Sequence, residues 1–246
     1  MCTSSDPSMH SWVACDCPTT MPENAAVAGG PRGLYLLPQL AVMRDADGPV
    51  VNLYERGEAT VALASGVRVT LVQDTAYPVE DSIRIEVRTA RPARFTLALR
   101  IPGWSEQNHL SVNGAALPAP APGSYARIDR SWKAGDVVTL KLDLRPRIVP
   151  APDGSLASAV MREPMLLARD SRLSDDDVDE PLTLKGDLVP AAASDAKIWM
   201  QFRMPYQAGT HDKKGEVALC DYASAGNAWH DKNRFRVWLP QVFDPR

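Results

Sequence analysis

The chain has 246 residues, 45% of them hydrophobic, with 27 lysines and arginines against 30 aspartates and glutamates and a formal net charge of −3. That length suits one large domain or a medium domain with an appendage, and the apolar content allows a real core. Charge so near balance excludes the footprint of a nucleic-acid binder or of a protein held to an acidic bilayer surface, and no apolar run approaches the roughly 20 residues of a membrane-spanning helix, so neither nucleic acid nor membrane is an expected partner.

The 21 prolines and 15 glycines punctuate short alternating runs, which favours turn-rich β structure over a helical bundle. The leading Met1-Cys2-Thr3-Ser4-Ser5-Asp6 lacks the basic and apolar parts of a signal peptide, so the cytoplasm is the default expectation. Residues 1–33 carry no clean period and read as loop, with at most a short helix around Glu23 to Ala28 where Pro22 suits a first turn. Leu34 to Leu37 is apolar, Pro38 interrupts it, and Gln39 to Met43 fits strand or helix. Asp45-Ala46-Asp47-Gly48 is a turn before a strand at Val50 to Tyr54, and the strand-turn rhythm repeats over Glu58 to Leu63 and Val67 to Gln73.

Ser82 to Trp104 carries the clearest alternation. Ile83, Ile85 and Val87 take one parity, then Phe95, Leu97, Leu99 and Ile101 do the same, and two such runs in succession predict a hairpin with one buried face. A face buried on one side requires a second sheet to cover it. Asn113-Gly114 is a two-residue turn signal after Leu110 to Val112, and Ala119 to Gly123 is a stiff surface connection. Tyr125 to Ile128 is a short strand; Trp132 to Asp136 turns the chain into a strand whose Val138, Leu140, Leu142 and Leu144 alternate with polar neighbours. Ser158 to Ala168 is a strand pair broken at Glu163-Pro164. Lys197 to Met204, Val217 to Tyr222 and Arg234 to Leu239 complete the strands.

Four cysteines at 2, 15, 17 and 220 are too unevenly placed for a disulfide framework. Cys15 and Cys17, with Cys2 and His10 nearby, offer thiolates and an imidazole to zinc; the spacing lacks the second pair of a zinc finger, and free thiols in a loop are the simpler account. His211 and His230 sit beside Asp212, Asp221 and Asp231 without a serine in an elbow context, and read as surface histidines. The acidic run Ser174 to Glu180 lacks the register of a calcium loop and reads as a solvated turn. Trp104, Trp132 and Trp229 fall at loop edges and are the candidate sugar contacts, because an indole face suits the axial hydrogens of a sugar ring. Trp199 and Trp238 lie within expected strands, and at least one should be core.

Several of these pieces, in this order and spacing, resemble one family. Phe95-Thr-Leu-Ala-Leu-Arg-Ile-Pro-Gly-Trp104, Val112-Asn-Gly114 and Trp132-Lys-Ala-Gly-Asp136 look like the β-sandwich portion of glycoside hydrolase family 127, the β-L-arabinofuranosidase-like proteins. Cys17-Pro18-Thr19, Val51-Asn-Leu-Tyr54, Arg162-Glu-Pro164 with Leu166 to Asp170, and Leu219 to Gly226 are similar to further segments of it. The resemblance implies an (α/α)₆ barrel bearing a cysteine nucleophile activated by zinc and a glutamate acid/base, followed by sandwich domains. The barrel is expected to lie before residue 1, and Asp16 falls where the nucleophile belongs, with Cys15 one place off.

The expected fold is all-β: an antiparallel, jelly-roll-like β-sandwich with a short irregular or helical N-terminal segment and a second small β region at the C-terminus. The expected division is a remnant of barrel end and linker over 1–48, a sandwich over 49–170 and a β extension packing on it over 171–246. The expected function is that of the non-catalytic sandwich portion of such a glycoside hydrolase, truncated relative to the family, with no catalytic residue of its own. Zinc belongs to the full-length family, with Cys15 and Cys17 as its candidate ligands here, and no cofactor is expected in this chain alone. The expected partner is an arabinose-containing glycan or a catalytic barrel. The alternative is a stand-alone carbohydrate-binding module that uses its edge tryptophans.

Overall fold

A computed structural model describes residues 34, 37–175, 177–208, 213–227 and 233–242. The expected helix at 23–28 lies outside them. A short helical stretch over residues 37–41 leads into β1 (Val42–Arg44), and ten strands then build a two-sheet body. They are β1, β2 (Pro49–Val51), β3 (Gly57–Ala62), β4 (Arg68–Thr75), β5 (Ser82–Thr89), β6 (Ala93–Arg100), β7 (His109–Val112), β8 (Ala115–Leu117), β9 (Tyr125–Trp132) and β10 (Asp136–Lys141).

One sheet runs β1-β2-β6-β9 and the other β3-β4-β5-β10-β7-β8. All pairings are antiparallel except β2 beside β6, where Val50 and Val51 meet Ala98 and Leu99 in parallel. The runs expected to form one hairpin, β5 and β6, are therefore in different sheets. Alternation reports which side of a strand is buried, not which strand it pairs with; the turn at Ala90-Arg91-Pro92 carries the chain from one layer to the other. Ile83, Ile85 and Val87 of β5 then share one core with Phe95, Leu97 and Leu99 of β6. Each such fully buried side chain contributes about 1.5–3 kcal/mol.

Two sequence signals prove to be one device. Asn113 (φ 51°) and Gly114 (φ 79°) make the tight β7–β8 turn. The Asn113 side chain then bridges to β10, accepting from the Val137 N–H at 2.8 Å and donating to Asp136 Oδ1 at 2.8 Å. Asp136 Oδ2 accepts from the Lys133 N–H at 3.0 Å, which closes the Trp132 to Asp136 turn. Burial opposes ionisation of Asp136, but the bonds from Asn113 and Lys133 outweigh it and hold the carboxyl below its usual range.

The Asp45 to Gly48 turn docks on β6. The Thr96 N–H donates to the Asp47 carbonyl at 3.0 Å, and Arg127 grips Asp45 and Asp47 at 3.0 and 2.6 Å. A Cβ on Gly48 (φ 155°) would stand 2.3 Å from the Thr96 carbonyl oxygen, so only glycine permits this approach.

Contacts divide the chain between Leu144 and Arg145, not at residue 170. The strands after Pro146 pair with C-terminal strands, which is why they leave the sandwich. The second unit holds β11 (Pro146–Pro150), β12 (Ala157–Arg162), β13 (Met165–Asp170), β14 (Thr183–Leu184), β15 (Val189–Ala191), β16 (Gln201–Ala208), β17 (Lys213–Asp221), β18 (Phe235–Arg236) and β19 (Leu239–Pro240). Its order is β11-β12-β13-β17-β16-β14, with β15 on β16, β18 on β13 and β19 on β12. Val160, Leu167, Leu184, Phe202, Val217 and Leu219 are central to its core. Arg234 to Leu239, expected as a single strand, breaks at Val237-Trp238 because the chain changes partner there, from Arg169 and Asp170 of β13 to Ala157 and Ser158 of β12.

Trp132 closes the end of the sandwich core. It is fully buried, stacks on Phe95 (centroids 5.7 Å apart, 23° between planes) and donates its indole N–H to the Phe95 carbonyl at 3.0 Å. Trp132→Ala should lower unfolding stability by about 3–5 kcal/mol, as for other buried aromatic truncations; urea denaturation followed by circular dichroism measures it.

Candidate functional site

The tryptophans expected as sugar contacts separate. Trp132 is a correction: the sequence places it at a loop edge, yet one face meets Phe95 and the Arg130 guanidinium carbon lies 5.2 Å from the ring centroid, so no ring face is open to a ligand. Its position as the last residue of β9 explains the misreading, since the loop begins one residue later. Trp104 is half-buried against the sandwich core. Trp229, Cys15 and Cys17 lie outside the described residues, as do His211 and His230. Among the described residues no group of three His, Cys, Asp or Glu side chains is arranged to hold a metal. The acidic run is tied to arginines: Asp179 pairs with Arg234 and with Arg236 at 3.0 Å, and Asp177 approaches Arg234 at 3.9 Å.

Trp199 reverses its expected place. It lies ahead of β16 in a bend and is 56% exposed. A polar knot beneath holds it there. The Trp199 N–H donates to Ser224 Oγ at 3.0 Å, and the Ser224 hydroxyl donates to Asp221 Oδ2 at 2.7 Å. Asp221 also accepts from the N–H groups of Met200 and Ser224. Arg172 grips both oxygens of Asp170, at 2.9 and 2.8 Å, and reaches on to Asn227 Oδ1 and the Ser224 carbonyl. Burial disfavours a charged Asp170, but the Arg172 guanidinium and the Gly226 and Arg172 N–H groups outweigh it and hold the carboxyl below its usual range. A general acid needs the opposite shift. Burial first, and then the Asp170 and Asp221 charges, push the Cys220 thiol up to about 12, which removes it as a nucleophile. The knot fixes loops rather than moving protons.

A cleft opens elsewhere in this unit, where the β11–β12 loop faces the bend between β18 and β19. Its volume is about 400 Å³, and Pro152, Leu156, Trp238 and Pro240 give it apolar walls, with Arg236 and Ser155 among the polar groups. Its lip is built in advance. The Ala151 N–H donates to the Ala157 carbonyl at 2.8 Å, the Ser155 N–H to Asp153 Oδ1 at 2.9 Å, and the Gln241 N–H to the Leu156 carbonyl at 2.7 Å. Arg236 reaches Asp179 through Nη1, while its buried Nε has no hydrogen-bond partner. No local pattern in the residues signals this cleft, because it depends on the partner exchange between β18 and β19.

Two measurements test the knot. Asp170→Asn should cost on the order of 3 kcal/mol at pH 7, since it leaves the Arg172 charge with little exposure and no counter-charge on that residue. Because the folded carboxyl titrates below its ordinary 3.8, its contribution is complete above that pH and is lost as pH falls below it, so the deficit of the variant should shrink toward acid. Cys220, which has no solvent-exposed surface, should stay unlabelled when folded protein is treated with iodoacetamide and become labelled in denaturant, as read by peptide mass mapping.

The comparisons with known proteins converge. The family described as "Beta-L-arabinofuranosidase, GH127 middle domain" matches residues 49–144, ending where the first unit ends. Comparison with curated proteins finds no match. Among solved structures, Ara127N-Se, a GH127 beta-L-arabinofuranosidase from Geobacillus stearothermophilus T6, is 21% identical with a TM-score of 0.72, over 86% of this chain and 37% of that one. A protein described as a glycoside hydrolase is 22% identical with a TM-score of 0.73, over 95% of this chain and 44% of that one. A GH127 beta-arabinofuranosidase is 26% identical with a TM-score of 0.70, over 83% of this chain and 36% of that one. The chain thus spans less than half the length of each. Residues 49–144, which hold strands β2 to β10, are thus similar to the middle domain of the GH127 β-L-arabinofuranosidases.

Proposed function

We propose that this chain is the non-catalytic β portion of a β-L-arabinofuranosidase-like glycoside hydrolase, working in carbohydrate degradation beside a catalytic domain. The observation that carries the reading is the family match over residues 49–144, strands β2 to β10 of the two-sheet body, joined to a fold likeness that takes in most of this chain but only 36–44% of its relatives. The state of the buried carboxylates supports it. Asp136 and Asp170 are each bound by hydrogen-bond donors that keep them ionised, which suits a structural role and not the proton donor that glycoside hydrolysis requires. The proposed partner is that catalytic domain, and the substrate class is an arabinose-containing glycan. Zinc is part of the proposal only for the assembled enzyme, with Cys15 and Cys17 as candidate ligands from this chain.

The chain alone should release no nitrophenol from 4-nitrophenyl β-L-arabinofuranoside, with zinc and a reductant present. Release that is abolished by Cys17→Ser would overturn the reading.

A further inference from the structure

We infer that Asn113 is a chemical modification site, a side-chain amide that the folded turn protects and that unfolding exposes to irreversible deamidation. Asn113-Gly114 is the one asparagine-glycine pair in the sequence. Glycine offers its backbone nitrogen to the preceding amide carbon with no side chain in the way, and nothing stands within 4 Å of where a Gly114 Cβ would lie. Both residues are exposed, so water reaches them. In the reaction the Gly114 nitrogen bonds to Asn113 Cγ and gives up its proton, the Cγ–Nδ2 bond breaks, and the amide nitrogen leaves with that proton as ammonia. Water then opens the cyclic imide at either carbonyl, leaving aspartate or its β-linked isomer.

The folded chain blocks the first step. Ring closure swings Cγ onto the chain's own backbone, but Oδ1 accepts from the Val137 N–H at 2.8 Å and Nδ2 donates to Asp136 Oδ1 at 2.8 Å, both on β10. The Asn113 N–H is tied to the Val137 carbonyl at 2.8 Å as well. Attack therefore waits until the β7–β8 turn parts from β10. The product then cannot rebuild the contact. Aspartate tolerates the left-handed φ of 51° as asparagine does, so the backbone is no obstacle. What changes is the atom facing Asp136: a donor at 2.8 Å becomes a carboxylate oxygen beside a buried carboxylate, and like charges so close repel. The β-linked isomer also adds a backbone carbon to the turn and disturbs the register of Val112 with Ala115 and Leu110 with Leu117. Because β8 is the edge of its sheet and pairs only with β7, it is the strand released. The turn thus keeps a lasting record of having once been opened.

Mass-spectrometric peptide mapping of the full chain, incubated folded and in guanidinium chloride at one pH and temperature, tests this. The tryptic peptide Ile101–Arg127 holds Asn113 together with Asn108, which precedes histidine and serves as an internal reference. In denaturant Asn113 should convert roughly tenfold faster than Asn108, and roughly tenfold faster than Asn113 does in the folded chain. Equal rates for Asn113 in the two conditions would overturn the inference. A second measurement needs no incubation. Asn113→Asp reproduces one product, whereas Asn113→Gly takes the same left-handed turn and loses the same side-chain bonds without adding charge. Amide hydrogen exchange at residues 115–117 should be faster in Asn113→Asp than in Asn113→Gly, and slowest in the unaltered chain. Exchange in Asn113→Asp no faster than in Asn113→Gly would show that the converted turn closes again, and would overturn its irreversibility.

Discussion

The sandwich depends on the facing of β5 and β6 across one apolar layer. Ile83, Ile85 and Val87 on one sheet and Phe95, Leu97 and Leu99 on the other exclude water from each other, and the short β9–β10 link over residues 133–135 makes the return crossing between the same two layers. Once the crossover at residues 90–92 is made, β10 must settle beside β5 and β9 beside β6 to complete the two faces. The polar devices at the rim follow from that arrangement. Asn113, for example, can tie the β7–β8 turn to Asp136 only because β10 lies between β5 and β7.

Much of this was legible in the residues. Strand positions over 57–75 and 82–100, the Asn113-Gly114 turn and the Glu163-Pro164 break all follow from periodicity and turn chemistry, which are local. Pairing is not local. The same alternating pattern describes two strands of a hairpin and two strands facing each other from opposite sheets, and only the length and direction of the link decide between them. The same limit explains the tryptophans. Trp132 ends a strand and points inward, whereas Trp199, inside an apparently regular run, is turned outward by a hydrogen bond to Ser224, 25 residues away. The cleft at Trp238 was hidden for the same reason, since its walls come from segments about 80 residues apart in sequence.

The buried charges of the second unit share one logic. Asp170, Arg172, Asp221 and Ser224 use nearly every hydrogen-bonding position they have on neighbouring backbone and on one another. Networks so saturated stiffen loops and leave no group poised to exchange protons. These carboxylates are therefore held as structural charges that order the loops around them.

Gly48 sets a limit on how this architecture can drift. The β2–β6 pair, the only parallel pairing among the described strands, begins two residues beyond the point where backbone lies against backbone at Thr96. A methyl group inserted there would wedge the turn off the sheet, and the first two strands would peel from their layer together. Descendants of this fold can rewrite most of the surface around that corner, but the corner itself must stay bare.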